Sequence, residues 1–232
     1  MEKFLDYYGD SYFTDLFCLI ATAFGTIYFY KNAIQEFKIF IFYFLFFFIA
    51  QCFFALSNAI EETSFYPAYK KSQQSVDFTL TIIEVIAFYK FFYEGIQSSY
   101  RKILVFFAIV FFGISFFLLI NDLSQHGYLK LHTLEKIFIW ESFILLVPCI
   151  LYFNSMFKKL PPTPIMKDPY FWIASGLMFF ALSTLPFSFL MNYIRLSNIE
   201  LYNSLYTIVN IFYFFLFITL IKALSCRLKS IN

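Results

Sequence analysis

The stretch that decides the fold runs from Asp77 to Lys90 and reads DFTLTIIEVIAFYK. It is apolar and helix-length, with a carboxylate at its start and a second one, Glu84, seven residues further on. No Lys, Arg or His lies in its interior to pair with Glu84. Because an ionisable group at membrane depth is costly, Glu84 is a candidate functional residue.

The composition of the whole chain is typical of a membrane protein. Its 232 residues are 61% hydrophobic and only 14% charged, whereas soluble domains carry about 25% charged residues. A chain this apolar is expected to have the lipid bilayer as its surroundings. The net charge is +2 and the basic residues are scattered, so no nucleic-acid partner is predicted. The four cysteines have no CxxC pairing, and no cofactor or metal is predicted.

Seven apolar segments approach the roughly 20 residues that a membrane-spanning helix needs. They predict an all-α integral membrane protein, a seven-transmembrane-helix bundle forming one membrane domain over residues 1–232. The segments are Tyr12–Tyr30, Ile39–Asn58, Val76–Tyr93, Ile103–Ile120, Glu135–Phe157, Pro169–Tyr193 and Leu201–Leu224. Helices are expected because open strands would leave backbone groups unsatisfied in hydrocarbon.

The distribution of basic residues predicts the orientation of this bundle. If the seven segments alternate across the membrane, eleven of the 17 Lys and Arg residues fall on the side of the C-terminus and six on the side of the N-terminus. The positive-inside rule then predicts an N-terminus outside and a cytoplasmic C-terminus.

Three polar residues are predicted to share one layer in the outer half of the bundle. Glu84 lies two turns after Asp77 on the same helix face, Glu141 lies early in the fifth segment, and Asn210 lies in the seventh. At about 1.5 Å per residue, the estimated depth from the outer end of the bundle is roughly 9–14 Å for Glu84, Glu141 and Asn210. The residues expected at the edge of this cluster are Ser57, Asn58, Thr81 and Ser142. The cluster is either a ligand or ion site or, as favoured for Asn210, hydrogen bonding that packs helices together.

The two glutamates are expected to share a proton or a bound cation, because two buried carboxyls cannot both ionise cheaply. Motifs that would indicate an enzyme are absent from the sequence. His126 and His132 alone do not complete a catalytic zinc site, and the sequence has no Ser-His-Asp arrangement or Gly-rich phosphate loop. No catalytic residue is therefore predicted.

The sixth segment begins with Asp168-Pro169, a pair typical of a helix start, with Asp as N-cap and Pro in the first turn. Trp172 is then expected at the cytoplasmic headgroup level. The preceding proline-rich stretch, Lys158–Asp168, is either a stiff spacer or a docking site for a cytoplasmic partner. Pro148 is expected to kink the fifth helix, and Gly113 and Gly176 are expected to be close-packing positions.

Several of these segments, in their order, resemble a group of small uncharacterised bacterial seven-helix membrane proteins. The stretches that carry the resemblance are Thr81–Glu84, Phe88–Phe92, Trp140–Ser142, Leu151–Phe153, Lys167–Gly176 and Ile208–Asn210. The genes of that group often neighbour those of two-component sensor kinases. The resemblance implies a multi-pass protein of the bacterial inner membrane, importance for Glu84, Glu141, Trp172 and Asn210, and a protein partner of the sensor-kinase type. It brings no established activity and leaves the first two segments unmatched.

Three functions remain open from the sequence. The leading hypothesis is a non-enzymatic sensor, or an anchor for a partner subunit, in signalling. The second is a small proton- or cation-coupled transporter or channel subunit that uses Glu84 and Glu141. The third is an intramembrane enzyme that acts on lipid.

Overall fold

The chain folds into long consecutive helices. The structure, a computed structural model, describes residues 37–60, 66–158 and 164–228, and no strand occurs in these ranges. The helices are α1, Lys38–Ile60; α2, Tyr66–Gly95; α3, Ser98–His126; α4, Leu131–Lys158; α5, Pro169–Ser197; and α6, Ile199–Leu228, with a 3-10 turn at Ile165–Lys167. They coincide with the second to seventh predicted segments. The first segment, Tyr12–Tyr30, lies outside the described residues.

The helices extend beyond the apolar segments that the sequence predicts. α2 begins at Tyr66 rather than Val76, and only Asn198 separates α5 from α6 where a loop over residues 194–200 was predicted. The physical reason is that apolarity marks the hydrocarbon layer. Backbone hydrogen bonding instead continues into the polar layer until a residue stops the helix.

A four-residue turn joins α3 to α4, where the sequence predicts a loop over residues 121–134. Gly127 ends α3 with a φ of 74°, a left-handed conformation that glycine adopts without steric cost. Its N–H donates to Leu123 O at 3.0 Å. The side chain of Asp122 then accepts from the backbone N–H of Lys130 at 2.8 Å, which orders the entry into α4.

Within the described ranges, three helices are long and apolar enough to cross a membrane: α3, α4 and the Pro169–Met191 part of α5. Two shorter apolar stretches, Lys38–Ala50 and Ile211–Ala223, lie in α1 and α6. Large apolar side chains on α3 point outward, among them Phe117, which is 70% exposed. Such exposure is favourable in lipid and costly in water. The helical fold with these spans is therefore that of a membrane protein.

The helices α2 and α4 lie at the centre of the described bundle. α2 packs against α1, α3 and α4, α4 also packs against α3 and α5, and α6 packs chiefly against α5. Consecutive helices run in opposite directions, so α2, α4 and α6 begin at one end, here called the Asp77 end. The opposite end, where α1, α3 and α5 begin, is called the Asp168 end. The two central helices are the ones that carry Glu84 and Glu141.

Pro148 lies inside α4 and leaves one backbone carbonyl without its helical donor. Proline has no N–H, so the carbonyl four residues earlier, that of Ile144, lacks its usual partner. The hydroxyl of Tyr89 on α2 donates to Ile144 O at 2.9 Å, and both residues are buried. A side chain from the neighbouring helix thus replaces the missing backbone donor and fixes α2 against α4.

One of the two predicted close-packing glycines is confirmed, and the other has no close neighbour among the described residues. At Gly176 on α5, an added Cβ would collide with the side chain of Thr219 on α6, so a residue without a Cβ is needed there. At Gly113 on α3, no described atom lies within 4 Å of the place a Cβ would take. Gly113 faces away from the described helices, because α3 presents one whole side outward.

Candidate functional site

A polar stripe follows one face of α2 from the Asp77 end toward the middle of the helix. Gln74, Asp77, Thr81 and Glu84 are spaced by three, four and three residues, which places them within one face of a helix. Gln74 and Asp77 are half-buried, whereas Thr81 and Glu84 are buried. The stripe therefore leads from half-buried positions to fully buried ones.

Glu84 lies at the inner end of this stripe and is bound by a residue of α1. The hydroxyl of Tyr43 donates to Glu84 Oε2 at 3.0 Å. Tyr43 is fully buried, and Glu84 is 1% exposed. The second carboxyl oxygen, Oε1, is also buried and has no hydrogen-bond donor among the described residues. One oxygen of Glu84 is thus engaged and the other is free.

Glu141 on α4 repeats this arrangement from the opposite side. The hydroxyl of Thr81 donates to Glu141 Oε2 at a long 3.4 Å, while Glu141 Oε1 is buried without a donor from the described part of the chain. Glu141 is close enough to Glu84, and to Asp77, for their charges to repel its own. We call Glu84 and Glu141 the carboxyl pair. It joins α1, α2 and α4.

The carboxyl pair has no cationic partner in the described ranges. The ion pair seen there links Glu135 to Arg195 at 3.1 Å, and the imidazole of His132 lies 3.6 Å from the same carboxylate. Neither contact involves a member of the pair. A buried carboxylate without a counter-charge is costly, and two adjacent ones are costlier still. The arrangement favours uptake of something positive, either a proton or a small cation.

The inner half of the same α2 face is closed by aromatic rings. Phe88 and Phe91 continue the stripe beyond Glu84, and both are fully buried. Phe40 of α1 lies with its ring centroid 5.3 Å from that of Phe88 and 5.2 Å from that of Phe91, and Tyr170 of α5 stacks on Phe91 at 4.5 Å. We call these four residues the aromatic block. On this face of α2, polar residues reach the carboxyl pair from the Asp77 end only.

The structure brings most of the predicted cluster together, with different neighbours from those expected. Glu84, Glu141 and Thr81 are close, and Asp77 lies one turn from Thr81. Ser142, expected at the edge, instead donates to the carbonyl of Phe138 on its own helix at 3.0 Å. The structure does not describe the side chains of Ser57, Asn58 and Asn210.

Tyr43 was missed by the sequence reasoning, which named only Ser57 and Asn58 from the second segment. Tyr213 of α6 was also missed; it lies near Tyr43, and its ring centroid is 5.8 Å from that of Phe47 on α1. The available signal was the single hydroxyl of Tyr43 within the otherwise apolar run from Ile39 to Phe48. A hydroxyl buried among phenylalanines needs an acceptor, and a neighbouring helix supplies it.

The start of α5 is held by Asp168 as the sequence predicts. Asp168 caps the helix by accepting from the backbone N–H of Tyr170 at 2.9 Å, with Pro169 as the first helical residue. Its other oxygen accepts from the hydroxyl of Tyr152 on α4 at 2.7 Å. The cap therefore also ties α5 to α4.

Trp172 lies one turn into α5, beside the 3-10 turn. Its indole N–H donates to the carbonyl of Met166 at 3.0 Å, and Cys226 Sγ on α6 donates to the same carbonyl at 3.4 Å. The ammonium of Lys222 lies 5.8 Å from the centre of a Trp172 ring. Trp172 thus orders the chain ahead of α5 and contacts the end of α6.

Comparison of the chain with protein-family models, curated proteins and solved structures found no match.

Proposed function

We propose that the chain is a non-enzymatic seven-helix protein of the bacterial inner membrane that acts as a sensor or as an anchoring subunit in signalling. In this proposal the N-terminus is outside and the C-terminus is cytoplasmic, so the Asp77 end faces outward. The resemblance to small bacterial seven-helix proteins and the distribution of basic residues support this assignment. The carboxyl pair is the part that responds to the cue.

The observation that carries the proposal is that the polar stripe enters the bundle from one end and stops at the aromatic block. A transporter needs access to its site from both sides of the membrane in turn. A sensor needs access from one side and a means of passing on the occupancy of its site. The bond between Tyr43 and Glu84 supplies that means, because a change at the pair alters what holds α1 against α2.

The Asp168 end supplies a surface for a partner. Exposed lysines surround it: Lys90, Lys102, Lys158, Lys167 and Lys222. Two acidic side chains are described at this end. The carboxylate of Asp168 caps α5 and accepts from the hydroxyl of Tyr152, while Glu94 is exposed. Such a surface fits an acidic face on a membrane or cytoplasmic protein of the sensor-kinase type.

Partner capture combined with a signalling readout tests the proposal. A tagged chain is expressed in membranes with a candidate sensor kinase, and both co-purification and kinase phosphorylation are measured. Glu84→Gln should preserve co-purification and change phosphorylation, because the cue site and the partner surface lie at different places. The control is Thr79→Val, an exposed side chain of α2 that lies off the polar stripe and away from the partner surface, which should leave phosphorylation unchanged. Identical phosphorylation in the wild type and in Glu84→Gln refutes the sensor.

The transporter remains the second candidate because two buried carboxyls without counter-charges are typical of proton and cation carriers. Purified protein in liposomes, with an imposed proton or sodium gradient, separates the two functions. The sensor predicts no flux above empty liposomes, and the transporter predicts flux that Glu84→Gln abolishes. Flux from the chain alone overturns the sensor in favour of the second candidate.

The proposed orientation has its own test. A reporter that works only in the cytoplasm should be active when fused after Asn232 and inactive when fused before Met1. Activity at both ends contradicts the seven-helix arrangement, and the opposite pattern contradicts the orientation.

A further inference from the structure

We propose that the carboxyl pair binds a proton that Asp77 delivers from the Asp77 end of the bundle. This inference rests on the proposed function, because it names the cue that the sensor would detect. It assigns separate roles to three acidic residues: Asp77 loads the proton, and Glu84 and Glu141 hold it.

The holding site is defined by the two free oxygens, Glu84 Oε1 and Glu141 Oε1. Both are buried, and both lack a donor among the described residues, while Tyr43 and Thr81 engage the other oxygens. Two ionised carboxylates this close repel each other in apolar surroundings. A proton bound to one free oxygen neutralises that carboxyl and so removes the repulsion.

A proton fits this site better than a metal ion does. In the part of the chain that the structure describes, no three His, Cys, Asp or Glu side chains are grouped closely enough to hold a metal. Calcium takes six to eight oxygen ligands, and magnesium six. The pair offers two free carboxyl oxygens, which is sufficient for a proton and poor for a divalent cation.

Asp77 lies where a delivering residue has to be. It is half-buried, lies one turn before Thr81 on the same face of α2, and is close enough to Glu141 for their charges to interact. Among the described residues, the titratable groups facing the pair are Asp77 on α2, Tyr43 on α1 and, near Tyr43, Tyr213 on α6. Tyr43 is buried, and Tyr213 packs on the rings of Phe180 and Phe217. Among the described groups, Asp77 is therefore the one nearest the Asp77 end.

The aromatic block closes the alternative route along this face. A proton that arrived from the Asp168 end along the α2 face would have to pass Phe88 and Phe91, which offer no proton-carrying group. A proton that moves along the described face of α2 therefore reaches the carboxyl pair from the Asp77 end. The same asymmetry predicts that a carboxylate at the far end of α2, Glu94, has no part in loading.

Infrared spectroscopy of the purified full-length chain in lipid nanodiscs tests both roles. A protonated carboxyl gives a C=O band separate from the carboxylate bands, and this band shifts downward on transfer into D2O. We expect the band in the wild type at neutral pH, in choline chloride and in sodium chloride alike. The double variant Glu84→Gln with Glu141→Gln should lack it.

The rate of that shift tests the delivery route. Asp77→Asn should slow the deuterium exchange of the band by about a hundredfold, the lower end of what a positioned acid–base group contributes. The band's final size should not change. Glu94→Gln, the matched control, should exchange at the wild-type rate. Thr81→Val is nearly isosteric and removes the hydroxyl that lies between Asp77 and Glu84 on the stripe. It should also slow the exchange, and it serves as the test variant should Asp77→Asn fold poorly.

Each of the following results overturns one part of the proposal. Absence of the band at neutral pH, or its loss when sodium replaces choline, overturns proton binding. Equal exchange rates in Asp77→Asn and the wild type, or slowing by Glu94→Gln instead, overturn the route. Because these measurements need no partner, the band can persist when kinase phosphorylation is insensitive to Glu84→Gln. In that case the site stands and the sensing function fails.

Discussion

Replacing Tyr43 by Phe removes one hydroxyl from the centre of the bundle and little else. The ring keeps its place among Phe44, Phe88 and Phe217, whose centroids lie 5.8, 5.9 and 6.5 Å away. What is lost is the hydrogen bond to Glu84 Oε2, an oxygen that has no other described donor. The experiment therefore isolates a single polar contact between α1 and α2.

The expected cost depends on the charge of Glu84. A hydrogen bond to a charged group contributes about 1.5–3 kcal/mol and one between neutral groups about 0.5–1.5 kcal/mol. Because Glu84 is 1% exposed, water does not replace the lost donor. We expect Tyr43→Phe to lower the free energy of unfolding by about 1–3 kcal/mol. In a Glu84→Gln background the cost should fall to about 1 kcal/mol, since the acceptor is then a neutral amide.

The assay is the free energy of unfolding in detergent micelles for the wild type, both single variants and the double variant. Tyr193→Phe is the matched control, because Tyr193 is 73% exposed and the same hydroxyl loss there should cost nothing measurable. Equal stabilities for Tyr43→Phe and the wild type would refute the buried bond. Equal costs of Tyr43→Phe in the wild-type and Glu84→Gln backgrounds would show that Glu84 is neutral when bound to Tyr43.

Three further sets of substitutions test the packing around the site, each through the free energy of unfolding in the same micelles. Glu84→Gln should keep the fold, whereas Glu84→Ala should lose about 1–3 kcal/mol more because buried donors are left unpaired; equal losses contradict this. Tyr89→Phe should cost about 1–3 kcal/mol, and a Pro148→Ala background should remove most of that cost by restoring the backbone donor. An undiminished cost there would refute the replacement of the donor. Gly176→Ala should destabilise by about 1–3 kcal/mol through overpacking, while Gly113→Ala should be neutral or stabilising by about 0.5–1 kcal/mol. The reverse order would contradict the close contact at Gly176.

The sequence was sufficient for properties that depend on local chemistry. Long apolar segments predict helices that suit a membrane, because backbone groups must be satisfied within each segment. The shared face of Asp77, Thr81 and Glu84 follows from 3.6 residues per turn. The cap at Asp168 also follows from neighbouring residues alone, since its partner Tyr170 N lies two positions away.

Helix ends could not be obtained from apolarity, because the hydrocarbon layer and the hydrogen-bonded helix have different lengths. The two glycines could not be separated either. Gly113 and Gly176 both lie within apolar helices, and only the rotation of each helix in the bundle decides which one meets a neighbour. That rotation results from packing between segments far apart in the chain.

The composition of the site was decided by tertiary structure for the same reason. The segment around Glu84 shows by itself that no basic residue lies nearby. The partner of Glu84, Tyr43, is 41 residues away along the chain, in a helix without a polar pattern. Likewise, Thr81 and Glu141 are 60 residues apart, and Tyr89 reaches the carbonyl freed by Pro148 across a helix interface. The sequence alone determines which groups need a partner, since desolvation cost belongs to the residue. Only the packing of helices determines which partner each one finds, since helix rotation and translation depend on every contact in the bundle.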